Sequence, residues 1–291
     1  MKWLIVGGEG QFGRAMEATL RMHGIDSVSL DRRQLDITNE DEIEHVLRNI
    51  RPNIVLNAAA WTKVDDAEVA EVEAWQVNAR GAGLLARTCS TTNSKLVHIS
   101  TDYVFSGLSN TPWAEGDDQN PLSAYGRTKA EGEILVQQFS ENSAYIVRTA
   151  WLYSPWGKNF AKTIAGLALH ESREVSVVRD QIGQPTSALD LAEQILQMID
   201  RNVPPGIYHG TNSGEATWFD FAKEIFLMAG ADSERLVPIE SSEYLRAAKP
   251  PAYSVLGHNK WVEVDMKPMK GWHEALAQAM PSIIYSVSIK G

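Results

Sequence analysis

Trp3-Leu4-Ile5-Val6-Gly7-Gly8-Glu9-Gly10-Gln11-Phe12-Gly13 carries an apolar tetrad straight into a glycine-rich turn. The stretch after it, Phe12–His23, places apolar residues at helical spacing. A buried strand, a tight turn and an amphipathic helix therefore open the chain. Working outward, short apolar runs recur at Val28–Leu30, Ile54–Leu56, Leu96–Ile99 and Tyr145–Val147. Amphipathic stretches fall between them at Glu40–Asn49, Val72–Thr92 and Ala124–Phe139. Strand–helix alternation with continuous apolar strands predicts a parallel sheet covered on both faces, a Rossmann-type doubly wound α/β fold.

After Thr149 the rhythm loosens. Helical patterns return near Asn159–His170, Ala188–Asp200, Trp218–Met228 and Trp272–Ala279, with breaks at Pro204-Pro205-Gly206 and Lys249-Pro250-Pro251. The expected organisation is a nucleotide-binding domain over residues 1–150, to which some later segments return. A smaller α+β region over 151–280 is expected mainly to bind substrate, and 281–291 reads as a C-terminal tail.

The 291 residues carry 27 Lys and Arg against 37 Asp and Glu, a net charge of −10. That balance excludes a basic nucleic-acid footprint. No segment reaches the run of apolar residues that a membrane span needs. The opening apolar tetrad is too short for a signal-peptide core, so the expected location is the cytoplasm. The single cysteine, Cys89, precludes an internal disulfide and an intramolecular thiolate cluster, and its alanine-rich setting predicts a buried structural thiol.

The turn can be parsed as Gly8-x-Gly10-x-x-Gly13 or as Gly7-x-x-Gly10-x-x-Gly13. In either case the glycines let backbone approach a pyrophosphate, and the helix beginning at Gln11 and Phe12 aims free N–H groups at the anion. Asp31 follows Gly13 at the spacing of a ribose-binding acid and favours NAD. Arg32 and Arg33 come next and suit the 2′-phosphate of NADP. The expected cofactor is NADPH, with NADH as a second candidate. Asp36 and Ile37 are placed to meet the adenine. Ala58, Ala59 and Ala60 end the third apolar run, where small side chains permit close approach of a ligand or of a packed helix.

The run Leu96-Val97-His98-Ile99-Ser100 delivers Thr101 to the carboxyl edge of the sheet, where ligands of open α/β folds bind. Tyr125 and Lys129 are four apart and share a helix face. Ketone reduction needs such a set: Thr101 to hydrogen-bond the carbonyl oxygen, Tyr125 to supply a proton, and Lys129 to hold the nicotinamide ribose. The lysine, together with oxidised nicotinamide, is also expected to favour phenolate and draw the Tyr125 pKa down toward working pH. His98, His170 and His209 are expected in packing or surface hydrogen bonding.

These segments, together with Ser100-Thr101-Asp102-Tyr103-Val104-Phe105-Ser106-Gly107, Arg148-Thr149-Ala150-Trp151-Leu152-Tyr153 and Asp180-Gln181-Ile182-Gly183-Gln184-Pro185-Thr186, resemble the extended short-chain dehydrogenase/reductases. Within them the likeness is to the branch that reduces dTDP-4-keto-6-deoxysugars. It covers about residues 1–280. The resemblance implies NADPH-dependent conversion of dTDP-4-dehydro-6-deoxy-L-mannose to dTDP-L-rhamnose. It puts Thr101, Tyr125 and Lys129 in the catalytic roles, Asn78 in the cofactor cleft, and Asp102, Trp151 and Asn159 beside the sugar. Tyr103 stands where related dehydratases carry glutamate, which favours simple reduction. Leu189 occupies a position where some members carry a Mg²⁺-binding glutamate at a dimer interface, so no metal is expected, while a homodimer stays open. Pro250 stands where the family often has arginine, so Arg246 and Lys249 become the nearby cations. Two alternatives remain open: a reductase of another dTDP-4-keto-6-deoxysugar, and a non-catalytic NADP-binding subunit resembling the regulatory partner of methionine adenosyltransferase.

Overall fold

A computed structural model describes residues 1–141 and 143–288. Its centre is a six-stranded, wholly parallel sheet. From one edge to the other the strands are Gly206–His209, Tyr145–Thr149, Lys95–Thr101, Ile54–Asn57, Trp3–Val6 and Ser27–Leu30. The chain steps from Trp3–Val6 outward to Ser27–Leu30, then crosses back to lay Ile54–Asn57 on the other flank. Strand order therefore reverses between Trp3–Val6 and Ile54–Asn57, and the two connections diverge there to leave a crevice at the carboxyl ends.

Alternate residues of each strand serve opposite faces. Trp3, Ile5, Leu56, Val97 and Val147 pack with Met16, Leu20, Leu191 and Ile195, from the helices Gln11–Met22 and Ala188–Asp200. Leu4, Val6, Val55, Leu96 and Ile146 pack with Ile43, Leu47, Leu85 and Val136, from Glu40–Ile50, Ala82–Thr91 and Ala124–Phe139. Two such faces explain the unbroken apolar strands. Cys89 lies on this second face of the sheet, where burial pushes its thiol up to about 12.

A second core gathers Phe221, Phe226, Leu276 and Ile283 beneath the helices Phe160–His170, Trp218–Met228 and Trp272–Ser288. Three two-stranded ribbons accompany it. The helix Ala188–Asp200 and the strand Gly206–His209 belong to the first core, so the second region draws on discontinuous stretches of 151–280.

Two expectations need correction. The stretch Val72–Thr92 is not one helix: a π-helical turn, Gln76–Gly81, separates Glu71–Trp75 from Ala82–Thr91. The expected tail at 281–291 is helical as far as Ser288, and 289–291 lie outside the described residues. Pro281 reads as a stop in sequence, since it removes an N–H. Here the apolar face formed by Met280, Ile283, Ile284 and Val287 packs on the second core and carries the helix past it.

Candidate active site

Gly7 ends the first strand with φ +83°, a conformation that disfavours every side chain. A Cβ there would stand 2.6 Å from the Ala59 nitrogen, and one on Gly13 would stand 2.5 Å from the Gly7 oxygen. Gly8 is tight for another reason: a Cβ would strike the Ser29 hydroxyl on the neighbouring strand. The geometry thus fits the Gly7-x-x-Gly10-x-x-Gly13 reading, with Gly10 closing the turn through its N–H to Gly7 O at 3.1 Å. Gly10 caps the following helix without a side chain, so the N–H groups of the first turn are left for an outside acceptor. That opening lies at the crevice where strand order reverses, and it suits a dinucleotide pyrophosphate. Ala58, Ala59 and Ala60 line the facing strand end and stay partly exposed.

The ends of this turn are less open than the sequence suggests. Phe12 is packed into the first core, which leaves only its backbone for an anion. Gln11 donates from Nε2 to Leu152 O at 3.2 Å and so ties the turn to the segment after the fifth strand. Ile37 is 3% exposed and packed among Val6, Leu35 and Leu47, so the expected adenine contact from its side chain is corrected: no surface remains for one. Asp36 accepts from Thr38 N and Oγ1 and lies 3.8 Å from Arg32. Asp31 accepts from the Arg33 guanidinium at 2.7 Å and from the backbone N–H groups of Arg33 and Gln34. The Arg33 hydrogen bond holds the Asp31 carboxyl below its ordinary range. An acid so engaged is a poor partner for a ribose 2′-hydroxyl, while both guanidinium groups extend into solvent, where a 2′-phosphate would sit.

Thr101, Tyr125 and Lys129 are brought together at the carboxyl edge. Ser123 caps the helix Ala124–Phe139 by accepting from Gly126 N, which fixes Tyr125 in the first turn. Lys129, 1% exposed, donates from Nζ to Ile99 O at 2.6 Å and lies 3.3 Å from His98 Nε2. His98 in turn meets Asn57 Nδ2 through Nδ1 at 3.0 Å. Burial lowers the Lys129 pKa to about 8, opposed by the Glu133 carboxylate one turn along. The helix can press this close because it has glycines where it meets its neighbours. A Cβ on Gly126 would lie 2.3 Å from Tyr103 O, and one on Gly132 would lie 2.1 Å from Asn78 O.

The protein's own groups do not lower the Tyr125 pKa. Desolvation pushes the phenol up to about 12, with Thr101 pulling it down and the Asp102 charge raising it further. The Lys129 ammonium is spent on Ile99 O and lies beside His98. A phenol at about 12 is fully protonated at neutral pH, which is the state a proton donor requires.

Asn78 and Asn159 both have partners within the protein. Asn78 accepts from Trp61 N at 2.8 Å and donates to Trp61 O and Thr128 Oγ1. These bonds fix the loop beside the cleft. Asn159 caps the helix Phe160–His170 by accepting from Lys162 N, and its Nδ2 reaches Ser154 O, Trp156 O and Gln11 Oε1. No donor is left for a sugar. Trp151 comes two residues after Thr149, the register partner of Thr101. Asp102 is buried beside Thr101, whose hydroxyl donates to Oδ1, while Oδ2 has no hydrogen-bond partner. Desolvation raises this carboxyl to about 6.

Sequence reasoning missed a buried pair beneath the trio. Glu133 is two turns beyond Tyr125 on the same helix face, and accepts from Arg148 on the fifth strand at 2.8 Å and from Gln119 and Ser100. The i, i+4, i+8 spacing of Tyr125, Lys129 and Glu133 was the available signal. A second link, Arg246 to Asp65 at 2.7 Å, joins the late proline-rich segment to the short helix Val64–Ala67 after the third strand.

A glycine cradle at a switch point, with threonine, tyrosine and buried lysine at the sheet edge, defines a nicotinamide-dependent oxidoreductase of the short-chain dehydrogenase/reductase class. The model of the RmlD substrate binding domain family matches residues 1–284, and the chain belongs to that family. It is 43% identical to a dTDP-4-keto-6-deoxy-D-glucose reductase of Streptomyces niveus, over 96% of each chain. It is 38% identical to a dTDP-4-dehydrorhamnose reductase of Streptomyces griseus, over 97% of this chain and 94% of that one. Among solved structures, a dTDP-4-dehydrorhamnose reductase of Bacillus anthracis in complex with NADP superposes with a TM-score of 0.92 at 38% identity, covering 96% of this chain and 98% of that one. Among the described residues no helix is long and apolar enough to cross a membrane.

Proposed function

We propose that this protein reduces the 4-keto group of dTDP-4-dehydro-6-deoxy-L-mannose to give dTDP-L-rhamnose, with NADPH as the reductant. The observation that carries the reading is the convergence of Thr101, Tyr125 and Lys129 at the carboxyl edge beside the glycine cradle. The S. griseus and B. anthracis relatives support the choice of sugar and cofactor by their names and, in the second, by its bound NADP.

NADPH, when bound, supplies the hydride for the sugar C4. The backbone N–H groups at Gln11, Phe12 and Gly13 would hold its pyrophosphate, and Arg32 and Arg33 its 2′-phosphate. The Thr101 hydroxyl hydrogen-bonds the C4 oxygen and orients the carbonyl. Tyr125 gives its proton to that oxygen as charge develops there, so the product leaves as a neutral alcohol. Lys129 keeps a positive charge in the buried site, where it steadies the phenolate left behind until a proton from solvent restores the phenol. Tyr103 packs edge-on against the Tyr125 ring at 5.6 Å and stands where the dehydratases carry their glutamate base, which favours simple reduction.

The S. niveus relative gives a second reading a specific basis. It keeps the reaction and changes the sugar, to a dTDP-4-keto-6-deoxysugar of D configuration. A panel of dTDP-4-keto sugars offered with NADPH or NADH, followed by nicotinamide absorbance, separates the two. The first reading expects the L-configured sugar with NADPH to give the highest kcat/KM. A higher value for a D-configured substrate would replace it with the second, and no turnover with any sugar would end both.

A further inference from the structure

Trp151 is the bulkiest residue of the chain in left-handed backbone, at φ +45°. Such a conformation is strained for a large side chain and persists only where the surroundings impose it. Two neighbours impose it here. The Trp218 indole lies parallel to that of Trp151, with centroids 3.5 Å apart and planes within 6°. Gly183 gives way beneath the same ring: a Cβ there would stand 2.5 Å from Trp151 Cε2 and 2.7 Å from its Nε1.

Both neighbours are themselves fixed. Trp218 opens the helix Trp218–Met228 behind a capping box between Thr217 and Asp220, and its Nε1 donates to Gln181 Oε1 at 3.2 Å. Phe160 buttresses it, with centroids 4.6 Å apart. Gly183 and Ala216 are register partners in a two-stranded ribbon, so the strand that carries the floor is paired with the strand that leads into Trp218. Trp151 itself is tied down by Thr186 N donating to its carbonyl at 3.2 Å. The indole so held lies two residues past Thr149, the register partner of Thr101, and one residue before Leu152, whose carbonyl meets Gln11 of the glycine turn. It therefore stands at the edge where the reacting sugar must enter.

We infer that Trp218, with Gly183, is a positioning residue: it holds the Trp151 indole in one seat at the sheet edge and thereby sets the affinity for the sugar. The inference rests on the reductase reading above. Trp218 acts only through Trp151 and makes no contact with the reacting atoms.

The test compares wild type with Trp218→Ala, Trp218→Phe, Gly183→Ala, Trp151→Ala and the Trp151→Ala/Trp218→Ala double variant, using NADPH and the best dTDP-4-keto sugar of the panel. Trp218→Ala is expected to raise the sugar KM roughly tenfold, with kcat and the NADPH Kd changed by less than about twofold. Gly183→Ala should do the same by the opposite route, and Trp218→Phe should fall between wild type and Trp218→Ala. The double variant should be no worse than Trp151→Ala alone. Stacked indoles also give an exciton couplet in the ultraviolet circular dichroism, expected in wild type and absent from both Trp218 variants. Should Trp218→Ala fail to fold, Trp218→Phe and Gly183→Ala still decide the matter. An unchanged sugar KM in the folded variants, additive effects in the double variant, or no couplet in wild type would overturn the inference. A wild type that reduces no sugar in the panel would instead sink the reductase reading, and the couplet would still report on the stack.

Discussion

Lys129 Nζ donates to the Ile99 carbonyl at 2.6 Å, two positions before Thr101 on the same strand. One hydrogen bond thus joins the helix that carries Tyr125 to the strand that carries the threonine. It also keeps the ammonium out of water, and burial lowers its pKa from the ordinary lysine value to about 8.

A pH dependence follows. The ammonium is present below about 8 and is lost above it, so kcat/KM for reduction should fall as pH rises through that value. Stability should move the other way. Above about 8 the folded chain gives up a proton that the unfolded lysine still holds, so unfolding becomes harder as pH rises toward the ordinary lysine pKa. Thermal unfolding of Lys129→Met across this range should lack the rise. A rate profile flat to pH 10 would remove the charged-lysine role.

Asn78→Ala should destabilise the fold by about 1–3 kcal/mol for each partner left buried without a hydrogen bond. Two groups are at stake, Trp61 N and Trp61 O, since Thr128 Oγ1 keeps its hydrogen bond to Tyr125 O. Denaturant unfolding measures the loss. If the change were thermodynamically silent and only NADPH binding suffered, Asn78 would be a cofactor ligand after all.

Arg32→Ala with Arg33→Ala should weaken NADPH by roughly 10- to 100-fold, the worth of charge-assisted hydrogen bonds, and leave NADH much less affected. Arg33→Ala alone should also release the Asp31 carboxylate that Arg33 now occupies, and tilt the enzyme toward NADH. Fluorescence titration of both nucleotides reads this. Equal losses for the two would contradict a phosphate clamp.

Gly7→Ala places a methyl 2.6 Å from the Ala59 nitrogen at a φ of +83°. The left-handed backbone alone costs about 1–2 kcal/mol, and the clash must also push the first and third strand ends apart. Dinucleotide affinity should fall with little change in the sugar region, which titration calorimetry can check. Retained tight binding would mean that the turn does not hold the pyrophosphate.

The sheet was legible because parallel strands buried on both faces must be apolar throughout, as Ile54–Asn57 and Tyr145–Thr149 are until their last residues. The trio was legible because its order and spacing follow from one strand end and one helix face. What escaped depended on partners distant in sequence. Asn78 and Asn159 looked like ligand groups because nothing local shows that Trp61 or Ser154 takes their hydrogen bonds. The Tyr125 pKa is raised by desolvation, and how deeply a helix residue is buried is a tertiary fact. Pro281 hid eight further helical residues, since the helix that spans it is held by packing on Met280 and Ile283 and not by local propensity. The link between Arg246 and Asp65 crosses 181 positions, beyond any pattern a window can reveal.

Tyr125→Phe removes one oxygen and leaves the ring, its edge contact with Tyr103 and the glycine cradle in place. The decisive measurement is its single-turnover rate with NADPH and the preferred dTDP-4-keto sugar, alongside its NADPH Kd. Loss of the proton donor should slow reduction by about 10²–10⁴-fold while NADPH binds within about twofold of wild type. A Tyr125→Phe variant that reduces its sugar at the wild-type rate would show that the proton comes from elsewhere.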